Sequence, residues 1–331
     1  MIPVVPLIHL NDLPPLIDDS PWHLITEPTV WNFHKEAIEK IMGPCDPIIV
    51  ATGDDCKTLS CVEDVLGKLI DRGLNRQHRI IAFGGGAICD FAAFVASVAM
   101  RGIEHVLIPS TLLAQVDAAH GGKTAVNLPQ GKNLCGAFKW AKAIVIEDFF
   151  LDTLPECELR NGRAEVYKTA LIAGKELLND VLNSTGLNTT LLRKIASIKN
   201  DIVQKDPFEK NIRAYLNLGH TAGHAIEAQK QHNHGECVGM GIRYALRLGS
   251  LRGYLKDTTL INTTDKWLSD NSLPLDPLNF SREQFFIYMK ADKKQEKKGL
   301  KWIFVEKAGE IITDNKVSRE DHETVLDQLN W

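Results

Sequence analysis

The chain has 331 residues and a formal net charge of −4, with 38 Lys and Arg against 42 Asp and Glu, and 44% of it is hydrophobic. This length predicts about two domains and is sufficient for a buried core without disulfide or metal staples. The slight acidity argues against binding to duplex nucleic acid, which requires a basic face. The longest mostly apolar stretch, residues 91–100, is shorter than the roughly 20 residues of a membrane helix.

The seven cysteines are irregularly spaced and form no C-x-x-C pair. This pattern argues against zinc ribbons and thioredoxin-like sites, and it indicates free thiols in a reducing compartment. The apolar N-terminal segment lacks the basic region and cleavage site of a signal peptide. We therefore expect a cytoplasmic protein with neither a membrane nor a nucleic-acid partner.

Predicted strands and helices alternate through the first half of the chain. We expect strands at residues 23–27, 47–52, 79–83, 105–109 and 143–147, and helices at 31–42, 59–72 and from the glycines at 84–86 to about 100. Strands separated by helices of about a dozen residues predict βαβ units and a parallel sheet.

The second half has a mostly helical pattern. We expect helices at 159–183, 188–204, 211–231 and 237–251, then a strand pair at 300–305 and 310–313 and a closing helix at 323–329. The lysine-rich stretch 290–301 is interpreted as a solvated loop. This change of character predicts an α/β domain at residues 1–150 and a mostly α-helical domain at 151–331. A cleft between two such halves is a common place for a ligand.

Gly84-Gly85-Gly86 is a first candidate anion site, at a predicted strand-to-helix junction. Glycines let backbone N–H groups approach a phosphate, and a helix N-terminus supplies partial positive charge. The segment is not a G-x-G-x-x-G motif, because position 89 is a cysteine. A phosphate-binding turn and a plain tight turn both fit these residues.

The segment GGKT at 121–124 ends like a P-loop but lacks its first glycine, because position 117 is an aspartate. A P-loop is therefore excluded. What remains is Lys123 in a glycine-rich loop, followed by Lys132 and Asn133 in a neighbouring loop. These residues indicate either a pocket for an anionic substrate or two surface turns.

His220 and His224 share one helix face at the i, i+4 spacing, so their imidazoles can approach one metal ion. The glutamate of the zinc-protease motif is replaced by threonine, which argues against a metalloprotease. His232 and His234 are candidates for a third ligand. Spacing alone thus favours the pair His220 and His224.

Glu165 and Lys168 lie about one helical turn apart in the segment RAEVYK. Opposite charges at this spacing face each other on a helix surface. By themselves they are interpreted as an exposed ion pair, which contributes little to stability.

Four segments together resemble the 3-dehydroquinate synthase family, within the wider sugar-phosphate cyclases. They are GGGAICDFAAFVASVAMRG (84–102), IPSTLLAQVDAAHGGKTAVNLPQGKNLCGAF (108–138), GRAEVYKTALI (162–172), and LNLGHTAGHAIEA with HGE (216–228, 234–236). They occur in the family's order and at near-family spacing. The resemblance implies an α/β plus α protein with a Rossmann-like N-terminal domain, a mostly α-helical C-terminal domain and an active site in the cleft between.

The same resemblance implies an enzyme that uses NAD and one divalent metal, Zn²⁺ or Co²⁺. Its substrate would be the sugar phosphate 3-deoxy-D-arabino-heptulosonate 7-phosphate, and its products 3-dehydroquinate and phosphate. One site would oxidise a hydroxyl, eliminate phosphate, reduce the ketone and close the carbocycle, as a step of the shikimate pathway of aromatic amino acid biosynthesis. The family also implies a homodimer, since Arg101 matches an arginine that reaches the neighbouring subunit's site.

Site residues follow from the matching positions of the four segments. The implied metal ligands are Glu165, His220 and His234, and His224 becomes a substrate contact instead. The implied phosphate pocket comprises Lys123, Asn133 and Lys168. The implied carboxylate contacts are Lys199, Arg213, Asn217 and one of Lys293 and Lys294. Asp117 and Lys132 match residues near the ring hydroxyls and the nicotinamide. The implied NAD contacts are Asp54, Lys57, Gly85, Gly86, Asp90, Ser110 and Thr111.

The sequence departs from the family pattern at a few positions. Asp54 stands where the family usually has glutamate, and Glu27 and Thr29 replace an aspartate and an asparagine near the adenosine half of NAD. His120 replaces a small apolar residue. Other sugar-phosphate cyclases and metal-dependent alcohol dehydrogenases of the same fold are the alternative enzymes, and a cofactor-free binding protein is the alternative outside enzymes. The carboxylate contacts favour 3-dehydroquinate synthase over the other cyclases.

Overall fold

A computed structural model describes residues 3–17, 20–295 and 300–331, with side chains of residues 290–295 outside that description. The chain divides into two compact units. The first extends to Leu159 and includes Leu187–Gln204, and the second comprises Arg160–Gly186 and Lys205–Trp331. The predicted boundary at residue 150 assigns Leu187–Gln204 to the second half, whereas the structure groups it with the first. Hydrogen bonds between Thr189 and Asp148 help to hold it there.

A six-stranded parallel sheet forms the centre of the first unit, which confirms the predicted α/β fold. Its strand order is β1-β8-β5-β4-β2-β3. The strands are β1 (Leu7–Ile8), β2 (Trp22–Thr26), β3 (Ile48–Ile49), β4 (Arg79–Gly84), β5 (Glu104–Pro109) and β8 (Ala143–Val145). Every residue of β4 after Arg79 is buried, as expected for a strand covered on both faces.

The helices of the first unit are α1 (Pro14–Ile17), α2 (Pro28–Met42), α3 (Leu59–Asp71), α4 (Gly86–Val98) and α7 (Thr189–Lys205). Except for the short α1, which was not predicted, they follow the predicted positions within a few residues. The strand expected at 47–52 is shorter, since only Ile48 and Ile49 pair with β2.

The interpretation of residues 121–133 as two loops was wrong. Lys123–Leu128 and Gly131–Phe138 form the antiparallel strands β6 and β7 of a hairpin. Lys123 begins β6, and Lys132 and Asn133 lie at the start of β7. The alternation of apolar and polar residues that marks a half-buried strand is short here, and the glycines on either side obscured it.

Helices dominate the second unit. They are α5 (Glu156–Ala173, which begins in the first unit), α6 (Lys175–Asn183), α8 (His220–Glu227), α9 (His234–Leu251), α10 (Thr259–Asp270), α11 (Arg282–Gln295) and α12 (Arg319–Leu329). The predicted strand pair is present as β9 (Trp302–Lys307) and β10 (Glu310–Asp314). An aromatic and aliphatic core that includes Tyr244, Phe285 and Trp302 joins α9, α11 and β9.

Three predictions for this unit need correction. The single helix expected at 159–183 is interrupted at Gly174, and the one expected at 211–231 is interrupted at Gly219. Both glycines have positive φ angles, 123° and 80°, which helices do not accommodate. The lysine-rich stretch is helical as far as Gln295 instead of being a loop. None of the described helices is long and apolar enough to cross a membrane.

Candidate active site

Glu165 and Lys168 lie on the buried face of α5. Each residue is only 1% exposed, and the Lys168 ammonium forms an ion pair with Glu165 Oε2. The interpretation of this pair as an exposed ion pair was therefore wrong. Spacing along a helix shows which side chains are neighbours, but it does not show whether their face is covered. A buried pair of charges is costly to form, which points to a functional reason for it.

Two histidines face Glu165 from the first residues of α8 and α9. His220 Nε2 lies 3.5 Å and His234 Nε2 lies 3.9 Å from Glu165 Oε1. One ligand atom from each of the three residues lies within 4.8 Å of the other two. We refer to Glu165, His220 and His234 as the ligand cluster. Its three members are the ligands that the family resemblance implies.

The chemistry of the ligand cluster fits a divalent metal such as zinc. Apart from the ion pair with Lys168, neither oxygen of Glu165 has a hydrogen-bond partner among the described residues. A buried carboxylate in that condition is unfavourable unless a cation compensates it. One carboxylate and two imidazoles are a common ligand set of catalytic zinc, which keeps a fourth position open.

Outer contacts orient both imidazoles of the ligand cluster. His220 Nδ1 lies 3.3 Å from the Leu218 carbonyl, and His234 Nδ1 lies 3.0 Å from Glu227 Oε2. A proton on Nδ1 leaves Nε2 as the coordinating nitrogen, which is the usual role of such contacts. Burial lowers the pKa of His234, but the hydrogen bond to Glu227 and the charges of Glu165 and Glu227 outweigh it and raise the pKa overall.

His224 and His232, the other two histidines of this segment, are placed differently. His224 is exposed and lies outside the ligand cluster, but it joins Glu227 and His234 in a second group of close potential ligands. His232 accepts a hydrogen bond from the Leu278 backbone N–H at 2.9 Å and contacts Glu236. The i, i+4 pair favoured by spacing is therefore not the closest ligand set around Glu165.

Glycines let α8 and α9 approach closely enough to bring their first histidines together. A Cβ atom on Gly241 would overlap the Gly219 carbonyl at the start of α8, and one on Gly235 would overlap the Asn161 backbone of α5, the helix that carries Glu165. The ring centroids of His220 and His234 are 5.4 Å apart. The ligand cluster therefore depends on residues that carry no functional group.

In the first unit, the glycine-rich turn joins β4 to α4. Gly84 ends the strand, and Gly85 is the N-cap of the helix. Added Cβ atoms would lie 3.1 Å from the Thr111 side chain at Gly85 and 3.1 Å from Ala118 at Gly86. The Ser110 hydroxyl is buried with no hydrogen-bond partner in the described part of the chain. A close backbone turn at a helix N-terminus fits the pyrophosphate of NAD.

Lys57 connects two residues implied for different ligands. Its ammonium donates to Asp90 Oδ2 at 2.6 Å and to Asn133 Oδ1 at 2.5 Å, and Lys57 is 5% exposed. Burial raises the pKa of Asp90, and the charge of Lys57 opposes that shift. A candidate NAD contact and a candidate phosphate contact therefore share one buried cation.

Other charged residues of the first unit are paired as well. Lys132 Nζ lies 2.5 Å from Asp54 Oδ2 in an exposed ion pair. Lys199 Nζ lies 2.6 Å from Asp117 Oδ1 and donates to the Asp117 carbonyl at 2.7 Å. Lys123 and Asp90 line the same small cavity.

Arg213 and Asn217 lie in the 3₁₀ helix Ile212–Asn217 of the second unit. Arg213 is 4% exposed and donates to the Pro207 carbonyl at 2.6 Å. Asn217 donates to Glu209 Oε1 at 3.0 Å. Asp206 accepts three backbone N–H groups of this loop, including that of Arg213. Sequence reasoning missed Asp206, Glu209 and Glu227, although an acidic residue within a turn beside implied site residues is a usable signal.

Arg101 and the two late lysines complete the implied set. Arg101 is exposed at the end of the 3₁₀ turn Ala99–Arg101 and has a positive φ of 70°, which is uncommon for a residue with a side chain. Lys293 and Lys294 belong to α11, but their side chains lie outside the described part of the structure. Their implied carboxylate contact stays a prediction.

The two units together define a protein with the sugar-phosphate cyclase fold. A family model described as 3-dehydroquinate synthase N-terminal matches residues 47–161, and one described as 3-dehydroquinate synthase C-terminal matches residues 162–295. The chain belongs to the 3-dehydroquinate synthase family. It is 37% identical over 319 residues to 3-dehydroquinate synthase of Sulfurovum sp. (strain NBC37-1), covering 93% of this chain and 91% of the relative. The corresponding enzyme of Coxiella burnetii (strain RSA 331) is 36% identical and covers 92% and 88%.

Solved structures show the same fold. The 2-epi-5-epi-valiolone synthase of Streptomyces hygroscopicus, with NAD⁺ and Zn²⁺ bound, superposes with a TM-score of 0.84 at 24% identity, over 100% of this chain and 97% of that one. A 2-deoxy-scyllo-inosose synthase complexed with carbaglucose-6-phosphate, NAD⁺ and Co²⁺ has a TM-score of 0.81 at 24% identity, over 96% and 94%. An iron-containing alcohol dehydrogenase from Thermococcus thioreducens is more distant, with a TM-score of 0.63 at 12% identity, over 98% and 97%.

Proposed function

We propose that this chain is a 3-dehydroquinate synthase that converts 3-deoxy-D-arabino-heptulosonate 7-phosphate to 3-dehydroquinate and phosphate. The observation that carries the proposal is the ligand cluster, with its buried and otherwise unsatisfied carboxylate, in a member of this family. The enzyme is a carbon–oxygen lyase of the shikimate pathway, since it breaks the bond between carbon and phosphate oxygen. We place it in the cytoplasm as a homodimer, with Arg101 contributing to the neighbouring site.

The cofactors are NAD and one divalent metal, Zn²⁺ or Co²⁺. Glu165, His220 and His234 hold the metal, and the glycine-rich turn with Asp90, Lys57, Ser110 and Thr111 holds NAD. When bound, the metal lowers the pKa of a coordinated hydroxyl, and NAD accepts and returns a hydride. The Nε2 atoms of His220 and His234, which face Glu165, are the donor atoms for this ligation.

The cationic residues of the chain bind the two charged ends of the substrate. Lys123, Lys168, His224 and Asn133 hold the phosphate, and Lys199, Arg213, Asn217 and the α11 lysines hold the carboxylate. Preorganised charge of this kind is usually the largest catalytic contribution. Held between lysine and histidine, the phosphate itself can accept the proton that its elimination requires. Asp117 and Lys132 bind near the ring hydroxyls and the nicotinamide.

The carboxylate contacts favour the heptulosonate over the substrates of other cyclases. Arg213 is buried and always charged, and its backbone N–H and guanidinium are held by Asp206 and the Pro207 carbonyl. A site that acts on a sugar phosphate without a carboxylate has no second anionic group for such a cation to bind. The arginine therefore indicates a substrate with a second anionic group.

The test is release of inorganic phosphate by the purified protein supplied with NAD and zinc. We expect turnover of 3-deoxy-D-arabino-heptulosonate 7-phosphate, loss of turnover with a chelator, and little turnover of a ketose phosphate that lacks the carboxylate. Absence of phosphate release would contradict the proposal. Net NADH formation from simple alcohols without phosphate release would instead identify a dehydrogenase.

A further inference from the structure

His120 is a buried imidazole with no part in the proposed reaction. It is 3% exposed and comes two residues after the π-helical turn Ala114–Ala118, which carries Asp117. Turns of this type are uncommon and often occur at functional sites. They also leave backbone carbonyls that need partners from elsewhere.

Both ring nitrogens of His120 have partners. Nε2 lies 2.7 Å from the Gln115 carbonyl oxygen, and Nδ1 lies 2.9 Å from Asn200 Oδ1. Burial lowers the pKa of His120, and the nearby Lys199 ammonium lowers it further, so the ring is neutral. A carbonyl can only accept, which places the single ring proton on Nε2. In the neutral ring Nδ1 is the acceptor, so the Asn200 amide presents its NH₂ group to it, in the flipped assignment of Oδ1 and Nδ2. The flip gives up only the 3.4 Å contact of Asn200 Nδ2 with the Val5 carbonyl.

Consecutive residues of α7 thus hold the same turn. Lys199 binds both the side chain and the carbonyl of Asp117, and Asn200 binds His120, which in turn binds the Gln115 carbonyl. The link between Lys199 and Asp117 consists of charges, and the substrate carboxylate is expected to compete with Asp117 for Lys199. The other link is made of uncharged side chains, and its imidazole is buried.

We propose that His120 and Asn200 form a tether that keeps the Asp117 turn and α7 in register while Lys199 exchanges Asp117 for the substrate carboxylate. His120 is then a positioning residue that determines affinity for the carboxylate end. The inference rests on the proposed function, because that function assigns Asp117 and Lys199 to the substrate. Without the tether, Lys199 loses its fixed geometry whenever it leaves Asp117, and preorganised positioning is lost with it.

Three substitutions of His120 separate the two contacts. His120→Ala removes both, His120→Gln retains a donor near the position of Nε2, and His120→Asn retains a polar atom near the position of Nδ1. We expect His120→Ala to raise KM for the heptulosonate phosphate about tenfold, equivalent to the loss of one or two buried hydrogen bonds, with kcat reduced less than about threefold. The Gln and Asn variants should each restore part of the affinity.

Asn200 provides a second, independent entry to the same contact. Asn200→Ala should raise KM by a similar factor. The KM of the double variant should be no higher than that of the more impaired single variant, since the effects of residues that share a contact are not additive. His78→Ala is the matched control. His78 is another buried histidine of the first unit, bonded to His23 at 2.9 Å and to Asn75 at 3.0 Å, and its loss should lower the melting temperature and leave KM unchanged.

Unchanged KM in His120→Ala and Asn200→Ala, or additive effects in the double variant, would overturn the tether. The same holds if His78→Ala raises KM as much as His120→Ala does, because the effect would then be a general loss of packing. If the wild-type protein releases no phosphate, the proposed function fails separately. The contact is then tested by the unfolding free energies of the two single variants and the double variant, and additivity there overturns it.

Discussion

The buried charges of the two units are satisfied in opposite ways. In the first unit, Lys57 donates to both Asp90 and Asn133, so the pair is complete within the protein. In the second unit, Glu165 is buried more deeply than Asp90, yet its oxygens accept no hydrogen bond from the described residues and rely on one ammonium group. The Lys57 network is complete without a ligand, so it is preorganised before a ligand binds beside it. The Glu165 site is incomplete, which indicates that a bound cation must complete it.

Removing His234 should produce the largest effect, because the incomplete site depends on it. We expect His234→Ala to weaken zinc binding by more than about 100-fold, beyond what loss of an outer contact costs, and to abolish phosphate release. His232→Ala should retain the metal and lose about 1–2 kcal/mol of stability, since the Leu278 N–H loses its acceptor. Metal content after dialysis and a competition titration measure both variants. Equal retention by both would refute the ligand assignment.

Replacing Lys57 tests the complete network. Lys57→Met should lower the free energy of unfolding by about 3 kcal/mol at pH 8, because it leaves the Asp90 carboxylate unpaired. Burial already raises the pKa of Asp90, and loss of the cation raises it further. A raised folded-state pKa means that stability is present at low pH and is lost as pH rises through that pKa. The deficit should therefore be smaller at pH 5 than at pH 8.

Urea denaturation at the two pH values measures this deficit, with and without zinc. Asp54→Asn is the control, because it removes an exposed ion pair and should cost less than about 0.5 kcal/mol. If the loss of stability in Lys57→Met depended on zinc, the Lys57 network would not be complete by itself, and the contrast with the Glu165 site would fail.

Glu227 should have an effect of intermediate size, since it orients the metal ligand His234 without binding the metal itself. Glu227→Gln keeps the shape but weakens the contact with His234 Nδ1, which is 3.0 Å away. We expect zinc affinity to fall about 10–100-fold, with the metal recovered at high zinc concentration. A competition titration checks this value. An unchanged affinity would mean that the 3.0 Å contact is incidental to metal binding.

The buried histidine pair His23 and His78 should give the smallest effect at neutral pH, because its effect on stability appears only in acid. Burial, with the charges of His78 and Arg72, lowers the pKa of His23 to about 4 from an unfolded value of 6.5. The unfolded state therefore binds the proton first as pH falls, so stability is lost between about pH 6.5 and 4. The loss should be about 3 kcal/mol for this histidine, and His23→Phe should reduce the slope of stability against pH by up to one proton. Unfolding in urea across this range measures it, and an unchanged slope would count against the assignment.

The sequence was sufficient for the parallel sheet, because continuous apolar runs such as IIAF in β4 are distinctive. It was insufficient for the β6–β7 hairpin, whose strands are short and lie between glycines. Burial of Lys168 was equally inaccessible, since helical spacing shows a neighbour and not what covers it. The set Glu165, His220 and His234 came from the family resemblance. Spacing alone favoured His220 with His224, because contacts between helices do not appear in the spacing within one helix.

The glycines between α8 and α9 have a consequence for anyone who would transplant the ligand cluster into another scaffold. The three ligands alone are not sufficient to reproduce the site. Gly219 and Gly241 set the spacing of α8 and α9, and Gly235 sets that of α9 and α5, which carries Glu165. An alanine at Gly241 would push His220 and His234 apart without altering either ligand. A functional graft therefore needs six positions, and half of them have no side chain to copy.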